Sequence, residues 1–494
     1  MNQVHTLLCG MLIGATALSG SVLAEGNAPA PLGKTVTTRF GALQFTQPFV
    51  DGYPTRATVE KLYGELDFQR ATQAYLWSLP LVGFAQWQHE HRSVFGARNG
   101  DVVSYRSFDD KMGLITANAT TPYLIAFADL GEDGPLVVEV PAQGLTGGVL
   151  DYWQRPVDVP SGGLIGKFLL LGPDQVDPKD PSLTTIHATT NNVFIGFRAL
   201  GTNENEINAA LGTLMIYPYA ERGAPTAARI ILPAGRKWSG TQPRGLEYWR
   251  RVQEAIDSEP VAERDRLFMG MLKSIGIEKG KPFDPTPEQK KVLEEAVLAG
   301  EAMAKANTFD KRIAEPFWPG SHWKLAMHLE PSQHLENYDQ LDERAAWFYE
   351  AVTASEDMTG RHLGVGSTYL GAYKDSKGEW LDGGKFYRLH VPANAPAKNF
   401  WSITAYDVNT RCFIDTPWKI ADRSSRQDLT KNTDGSVDLY VGPKPPNDTA
   451  KHKNWIPTLP GKAWFTYLRL YGPLQGYYDR SWVLPDIEVT NAWE

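Results

Sequence analysis

Two strand-like stretches of this chain flank a helical middle. Residues 102–219 and 364–494 consist of short apolar runs separated by Gly, Pro and Asp, which is typical of β-strands joined by turns. Residues 245–354 instead carry apolar side chains at helical spacing. Strands that occur in separate blocks with helices between them indicate separate strand-rich units. The sequence therefore predicts a mixed, mainly β fold in which a helical segment joins two β domains.

Several helices are predicted individually. The clearest begins at Pro287, because Thr286 can cap it and Gln289 can complete a capping box. A helix over residues 58–91 precedes the first strand block, and Pro80 should break or kink it. The other predicted helices of the middle segment cover residues 245–256, 261–275 and 341–354.

These patterns divide the chain into five consecutive segments. They are a signal peptide (1–24), an N-terminal extended linker (25–57), an N-terminal strand-rich domain (58–235), a helical connector (236–357) and a C-terminal β domain (358–494).

The first segment has the features of a cleaved secretory signal. Residues 1–24 contain no Asp, Glu, Lys or Arg, and residues 7–23 are largely apolar. Val22 and Ala24 occupy the two positions that signal peptidase recognises, and Glu25 is the first charged residue. The apolar run is too short and too interrupted to span a bilayer. We therefore expect an exported protein, periplasmic or extracellular, without a transmembrane segment.

Composition argues against a nucleic-acid-binding protein and against an internal disulfide. The chain has 49 Lys and Arg against 57 Asp and Glu, a net charge of −8, so a nucleic-acid partner is not expected. Cys9 would leave with the signal peptide and Cys412 would remain alone, so no internal disulfide is expected. The apolar neighbours of Cys412 predict a buried, unreactive thiol.

Motifs of well-known catalytic sites are missing from the sequence. It contains no phosphate-binding loop and no serine nucleophile elbow. His89 and His91 come nearest to a metal-binding pair, but two residues apart on a helix their imidazoles diverge by about 200°. We therefore expect them at a solvated helix end, and we predict no metal site, no cofactor and no identifiable catalytic residue.

Polar side chains interrupt two C-terminal segments that otherwise have the pattern of buried strands. Tyr406 and Asp407 end the first segment on opposite faces, and Arg469 and Tyr471 share one face of the second. Such groups need partners. Two hypotheses stay open. Arg469 either joins a structural network, with Asp407 or with sheet carbonyls, or Tyr406, Asp407, Arg469 and Tyr471 form a pocket for an anionic or polyhydroxylated ligand.

Short segments along the chain resemble two bacterial families. Residues 399–407 (NFWSITAYD) and 465–473 (FTYLRLYGP) closely resemble the family called domain of unknown function 1214. Residues 116–123 (TANATTPY) and 134–141 (GPLVVEVP) resemble its frequent companion, domain of unknown function 1254. The resemblance implies a pair of β-sandwich or jelly-roll-like domains joined by helices, often exported. It implies no established activity.

Three hypotheses about function follow from the sequence. The protein is an enzyme with a cleft between two β domains, acting on a small or carbohydrate-like substrate. Alternatively, it is a non-catalytic binding protein that uses an aromatic cleft for a carbohydrate or a small organic ligand, which its 15 Trp and 20 Tyr would suit. The third hypothesis is a structural envelope component that forms a homo-oligomer through its sheet faces.

Overall fold

The computed structural model describes residues 32–141, 143–157, 164–201, 203–491 and 493. They belong to two compact units, one extending to Glu65 and the other beginning at Leu66. Helix and strand take nearly equal shares, 27% and 26%, so the fold is mixed α/β rather than mainly β. The expected signal peptide lies outside the described residues.

The secondary-structure elements follow the predicted order. The helices are α1 (Arg56–Ser93), α2 (Leu130–Asp133), α3 (Glu204–Leu211), α4 (Leu246–Ser258), α5 (Arg266–Ser274), α6 (Pro287–Phe309), α7 (Leu341–Glu350) and α8 (Gln475–Tyr478). The strands are β1 (Thr35–Thr38), β2 (Gly41–Gln44), β3 (Val102–Tyr105), β4 (Tyr123–Asp129), β5 (Leu136–Val140), β6 (Leu145–Asp151), β7 (Gly166–Leu171), β8 (Thr184–His187), β9 (Asn192–Ala199), β10 (Met215–Pro218), β11 (Ile230–Ile231), β12 (Lys324–Leu325), β13 (Ser367–Ala372), β14 (Phe386–Val391), β15 (Ala397–Asp407), β16 (Asp422–Ser424), β17 (Val437–Gly442), β18 (Trp455–Pro457), β19 (Trp464–Pro473) and β20 (Glu488–Thr490).

The capping signal before α6 acts as predicted. The Gln289 amide donates to Oγ1 of Thr286 at 3.2 Å, and the Thr286 amide donates to Oε1 of Gln289 at 2.9 Å. Two amides that the helix itself leaves without acceptors are thereby satisfied. Among the helices of the described residues, none is long and apolar enough to cross a bilayer.

Pro80 does not end α1, which continues to Ser93. Side-chain donors bind backbone carbonyls of the helix around Pro80. The Ser78 hydroxyl donates to the Ala74 carbonyl at 2.7 Å, and Nε2 of Gln154 donates to the Pro80 carbonyl at 2.6 Å. Residues 77–88 are almost entirely buried. Tertiary packing therefore outweighs the helix-breaking tendency of proline here.

The prediction of a solvated end for α1 is wrong at His91, which is 1% exposed. Its Nε2 lies 2.7 Å from the hydroxyl oxygen of Tyr105. Because Nε1 of Trp87 donates to the same oxygen, the Tyr105 hydroxyl donates to His91. Burial lowers the pKa of His91 to about 3, so this imidazole is neutral in the folded protein.

Acid should destabilise the fold through His91. Its folded pKa of about 3 lies below the unfolded value near 6.5, so the unfolded state gains the proton first as the pH falls. Stability that is present above pH 6.5 is lost towards pH 3, by up to about 1.4 kcal/mol per pH unit. Denaturant unfolding of His91→Gln should show a flatter pH dependence in this window, and the half-exposed His390→Gln should not.

The strands of the second unit form four sheets, two in each half of the chain. The N-terminal half contains sheets of order β10-β5-β7-β8 and β11-β3-β4-β9-β6, and the C-terminal half contains β12-β13-β19-β15-β16 and β18-β17-β14-β20. Within each half the apolar side chains of both sheets share one core. Leu124 and Val138 represent the two sheets in the first core, and Leu439 and Leu468 represent them in the second.

A third core lies on the other face of both five-stranded sheets. Along β4, Leu124 belongs to the N-terminal core, whereas Ile125 and Phe127 pack with the aromatic side chains of α1, α4 and α7. Tyr406 and Tyr467 of the C-terminal five-stranded sheet belong to the same third core. Both sheets are thus covered on two faces, which explains why their strands have continuous apolar runs.

Cys412 is buried, as the sequence predicted. Burial raises the pKa of its thiol to about 11, so the reactive thiolate is scarce at neutral pH. The nearest polar contact of its Sγ is the Thr410 carbonyl at 3.4 Å. The residue behaves as a small apolar side chain rather than as a nucleophile.

Candidate functional site

The two five-stranded sheets enclose a cavity of about 580 Å³. Strands β4, β6 and β9 supply one wall and β13 and β19 another. The rest of the lining comes from Trp87 of α1, Trp347 of α7 and residues within 114–117, 156–157 and 351–358. Cavities of this size hold small organic molecules. The cavity thus lies between the two strand-rich halves.

The N-terminal wall is graded from charged to apolar. Strand alternation directs every second residue of β9 to the cavity face, namely Phe194, Gly196 and Arg198. Neighbouring strands place matching residues beside them, so the wall consists of cross-strand rows. The rows are Thr146–Arg198–Tyr123, Gly148–Gly196–Ile125 and Leu150–Phe194.

The C-terminal wall is aromatic around a second arginine. On β19, Arg469 pairs with Tyr369 of β13 in the sheet register, and Tyr467 lies one row further along the same face. All three line the cavity. The Arg469 guanidinium lies 5.3 Å from the ring centre of Tyr467 and 5.4 Å from that of Tyr369. Aromatic faces at this distance attract a cation without neutralising it.

Arg469, one of the four predicted site residues, lines the cavity and also bonds to the protein. Its side chain is 3% exposed. Its Nη1 donates to the Tyr406 hydroxyl at 2.5 Å and its Nη2 donates to the Thr116 carbonyl at 2.7 Å. A further bond runs from Nη1 to Oγ1 of Thr404 at 3.2 Å. Part of the guanidinium thus binds the N-terminal half of the protein, at a turn carbonyl rather than at the sheet carbonyls that the structural hypothesis named.

Tyr406 and Tyr471 bind the same loop as Arg469. The Tyr406 hydroxyl donates to the Ala117 carbonyl at 2.6 Å. Nδ2 of Asn118 donates to the Tyr471 hydroxyl, and the Tyr471 ring stacks on Phe400 with ring centres 4.0 Å apart. Neither tyrosine is among the residues that line the cavity. Three of the four predicted residues therefore meet at residues 116–118 rather than around a shared ligand.

Asp407 does not join this group. It lies on the opposite face of β15 from Tyr406, and its carboxylate accepts from Nζ of Lys462 at 2.8 Å. The Asn409 amide also donates to it, at 2.8 Å. The expected pairing of Arg469 with Asp407 is therefore wrong, because strand alternation separates the two side chains.

Arg198 is the cavity residue that the sequence analysis missed. The apolar run at residues 192–197 predicts a strand that ends before Arg198, whereas β9 continues to Ala199. Extending the alternation of Phe194 and Gly196 by one step would have placed Arg198 on their face. Its guanidinium lies 5.9 Å from the ring centres of both Tyr123 and Tyr471.

The two guanidiniums carry positive charge that no described carboxylate neutralises directly. Neither Arg198 nor Arg469 forms an ion pair with a described residue, and the cavity-lining Glu356 pairs instead with Arg361 at 3.8 Å. Both arginines have Tyr369, Tyr123 and Tyr471 as neighbours, so they share one end of the cavity.

The surrounding phenols do not supply the missing negative charge. Burial raises the pKa of Tyr471 and of Tyr406 far above the usual range, and burial does the same for Tyr467. All three hydroxyls are therefore protonated and neutral at pH 7. The arginine end of the cavity has a positive potential, which favours anions.

A buried ion pair fixes the position of Tyr467. Its hydroxyl donates to Oε1 of Glu350, which also accepts from the Tyr373 hydroxyl at 2.6 Å. Oε2 of Glu350 lies 2.8 Å from Nζ of Lys311, and both charged side chains are fully buried. Burial lowers the pKa of Lys311, which Glu350 partly offsets. This network holds the cavity wall in one conformation.

Lys111 binds the same loop as Arg469, residues 116–121. Nζ of Lys111 donates to the carbonyls of Asn118, Ala119 and Thr121 at 3.1, 3.2 and 2.9 Å. Burial lowers the pKa of this lysine to about 8. The lysine positions the loop, because it touches the backbone and does not line the cavity.

Two threonines that line the cavity have a left-handed backbone conformation. Thr116 has φ of 41° and Thr353 has φ of 67°. This region is costly for β-branched residues, by about 1–3 kcal/mol each, and such strain concentrates at functional sites. Backbone hydrogen bonds hold both residues, since Thr116 donates to the Arg411 carbonyl at 2.7 Å and Thr353 donates to Oε1 of Gln154 at 2.6 Å.

The polar groups of the cavity include strong hydrogen-bond donors. Among the described residues, no group of three or more His, Cys, Asp or Glu could hold a metal ion. The arginine end offers guanidinium donors and hydroxyl groups, Glu356 and Asp357 also line the cavity, and most of the other lining residues are aromatic or aliphatic. Guanidiniums bind carboxylates and related oxyanions through paired hydrogen bonds.

Two family models match the chain. Residues 102–218 match the family described as "Protein of unknown function (DUF1254)", and residues 366–475 match "Protein of unknown function (DUF1214)". These matches confirm the predicted resemblance in both halves. The first region contains β4, β6 and β9, and the second contains β13 and β19, so the cavity lies between the two matched regions. None of the curated proteins shows significant sequence similarity to this chain.

Two solved structures resemble this chain. The VPA0106 protein from Vibrio parahaemolyticus has 18% sequence identity and a TM-score of 0.53, and the match covers 86% of this chain and all of that protein (100%). An uncharacterized protein from Burkholderia cenocepacia has 11% identity and a TM-score of 0.38, over 88% of this chain and 97% of the other. The first comparison indicates a shared fold and carries no information on activity.

Proposed function

We propose that this protein binds a small organic anion in the cavity between its two halves. The observation that carries the proposal is that two guanidiniums, from Arg198 and Arg469, face one end of a cavity of about 580 Å³ without a described carboxylate partner. Its volume suits a single small molecule.

Energetics support an anionic ligand over a neutral one. A charge removed from water is costly unless it is paired, and each hydrogen bond to a charged group contributes about 1.5–3 kcal/mol. Arg198 has no hydrogen bond to a described carboxylate, and Arg469 uses only part of its donor capacity on Tyr406, Thr404 and Thr116. A carboxylate placed between them would accept the remaining donors, which a neutral carbohydrate would do less well.

Matched pairs of acid and amide test the proposal. Calorimetric titration with benzoate and octanoate should detect binding, and benzamide and octanamide should bind at least about tenfold more weakly because they lack the charge. Arg198→Gln should lose the preference for the acid. The matched control is Arg388→Gln, since Arg388 lies on a strand outside the cavity and pairs with Glu488 at the surface.

Equal affinity for acids and amides, or acid binding that survives Arg198→Gln, would overturn the proposal. Incubation of the protein with the same compounds, followed by mass spectrometry, separates turnover from binding. A new product would identify the site as catalytic, and recovery of the unchanged acid would identify a receptor.

We also propose a β-sandwich or jelly-roll-like arrangement for each half. The shared apolar core between the four-stranded and the five-stranded sheet in each half supports it. A crystal structure of the protein would test it by the packing angle between the paired sheets.

Export of the protein remains our proposal, and it predicts a defined N-terminus. Mass spectrometry of the protein secreted by an export-competent bacterial host should find Glu25 as the first residue, because Val22 and Ala24 provide the cleavage pair. Val22→Lys should block cleavage. Mature protein that retains Met1 would contradict the export hypothesis.

A further inference from the structure

The graded wall of the cavity restricts the class of anion. Charged, glycine and aromatic rows follow one another along β9, at Arg198, Gly196 and Phe194. Successive rows on one face of a strand are about 7 Å apart, so the arginine and phenylalanine rows are about 13 Å apart. A ligand with its anionic group at Arg198 would therefore extend over glycines towards an aromatic surface.

The glycine row leaves room for the body of such a ligand. A Cβ added at Gly148 would meet nothing within 4 Å, although this residue lines the cavity. A Cβ at Gly196 would approach the Phe194 ring to 2.3 Å, so the glycine is what allows that ring to lie across the strand. Between the charged row and the aromatic row, the cavity surface is therefore bare backbone at Gly148 and the Phe194 ring beside Gly196.

Large apolar side chains lie beyond the glycines. Trp87, Phe194 and Trp347 line the cavity from three different elements, and Leu114 and Met358 extend this surface. A second carboxylate would lose its hydration here, and the two carboxylates in the cavity lining, Glu356 and Asp357, carry charge of the same sign. An alkyl or aryl group would gain by leaving water.

We infer that the ligand is an amphipathic monocarboxylic acid, with its carboxylate at Arg198 and Arg469 and its apolar body over the Gly148–Gly196 row. The inference rests on the proposed function, because it specifies the anion that the same cavity binds. It distinguishes this acid from a dicarboxylate, a sugar acid or a free inorganic anion.

A chain-length series tests the inference by calorimetric titration. From butyrate through hexanoate to octanoate, affinity should rise about fourfold for each methylene buried. Suberate, which ends in a second carboxylate, should bind at least about tenfold more weakly than octanoate.

Variants of Gly148 locate the apolar body. Gly148→Leu should weaken octanoate binding at least about tenfold and leave butyrate binding unchanged, and Gly148→Ala should have a smaller effect in the same direction. Gly223→Leu is the matched control, because its Cβ would also meet nothing within 4 Å and it lies outside the cavity. If Gly148→Leu fails to fold, Gly148→Ala carries the test alone.

The outcomes separate the inference from the proposed function. If no acid binds the unaltered protein, the proposed function itself is wrong. If acids bind with an affinity independent of chain length, or if suberate equals octanoate, the proposed function stands and the inference is overturned. Octanoate binding that is unaffected by both Gly148 variants would also overturn it.

Discussion

Replacing Glu350 by leucine is expected to lower the free energy of unfolding by about 3–5 kcal/mol, among the largest effects of any single substitution in this protein. The substitution leaves the ammonium of Lys311 without its carboxylate partner in a fully buried position. It also removes the acceptor of the Tyr373 and Tyr467 hydroxyls. Urea unfolding followed by tryptophan fluorescence measures the change.

Two comparisons identify the buried charge as the cause. The double variant Lys311→Met with Glu350→Leu should recover at least half of the loss, because it removes the unpaired charge. Glu488→Leu breaks the exposed pair with Arg388 and should change the free energy of unfolding by no more than about 1 kcal/mol. A double variant as unstable as Glu350→Leu alone would show that volume rather than charge decides the effect.

The ion pair also links stability to the site. Tyr467 lines the cavity, and its hydroxyl is held by Glu350. The buried ion pair and its hydrogen bonds hold this part of the cavity wall in one conformation, but they destabilise the fold strongly when one member is removed. The fraction of the Glu350→Leu variant that remains folded should therefore also bind octanoate more weakly than the unaltered protein does.

Local signals predicted the elements of this fold well. The capping box at Thr286 and Gln289 located the start of α6, because both partners lie within one helical turn. Pro80 and His91 illustrate the limit of such signals. Whether a proline breaks a helix, or a histidine meets solvent, depends on the tertiary packing around it, and both residues are covered by side chains from distant parts of the chain.

The site was only partly predictable for the same reason. Alternation placed Tyr406 and Asp407 on opposite faces of β15, and it placed Arg469 and Tyr471 on one face of β19. The hydrogen-bond acceptor that Arg469 finds in the N-terminal half is the Thr116 carbonyl, 353 residues earlier in the chain. A backbone carbonyl has no side-chain signature, so no pattern in the sequence could identify it. Arg198 was predictable in principle, since it continues the alternation of β9.

Replacing Arg469 by lysine decides between its two roles. Lysine keeps the charge but loses the planar fork, so a bidentate contact to a carboxylate becomes a single one. If Arg469 binds the ligand, affinity for octanoate should fall at least about tenfold when titrated at a temperature where the variant is folded. The free energy of unfolding should fall as well, because the bonds to Tyr406 and Thr116 cannot both be kept.

Arg411→Lys is the matched control for that experiment. Arg411 is also buried and also binds carbonyls, those of Tyr349 at 2.9 Å and Asn409 at 2.6 Å, but it does not line the cavity. It should lower stability to a similar degree and leave octanoate affinity unchanged. If Arg469→Lys behaves in the same way, losing stability while binding persists, then Arg469 is purely structural and the anion must be held by Arg198 alone.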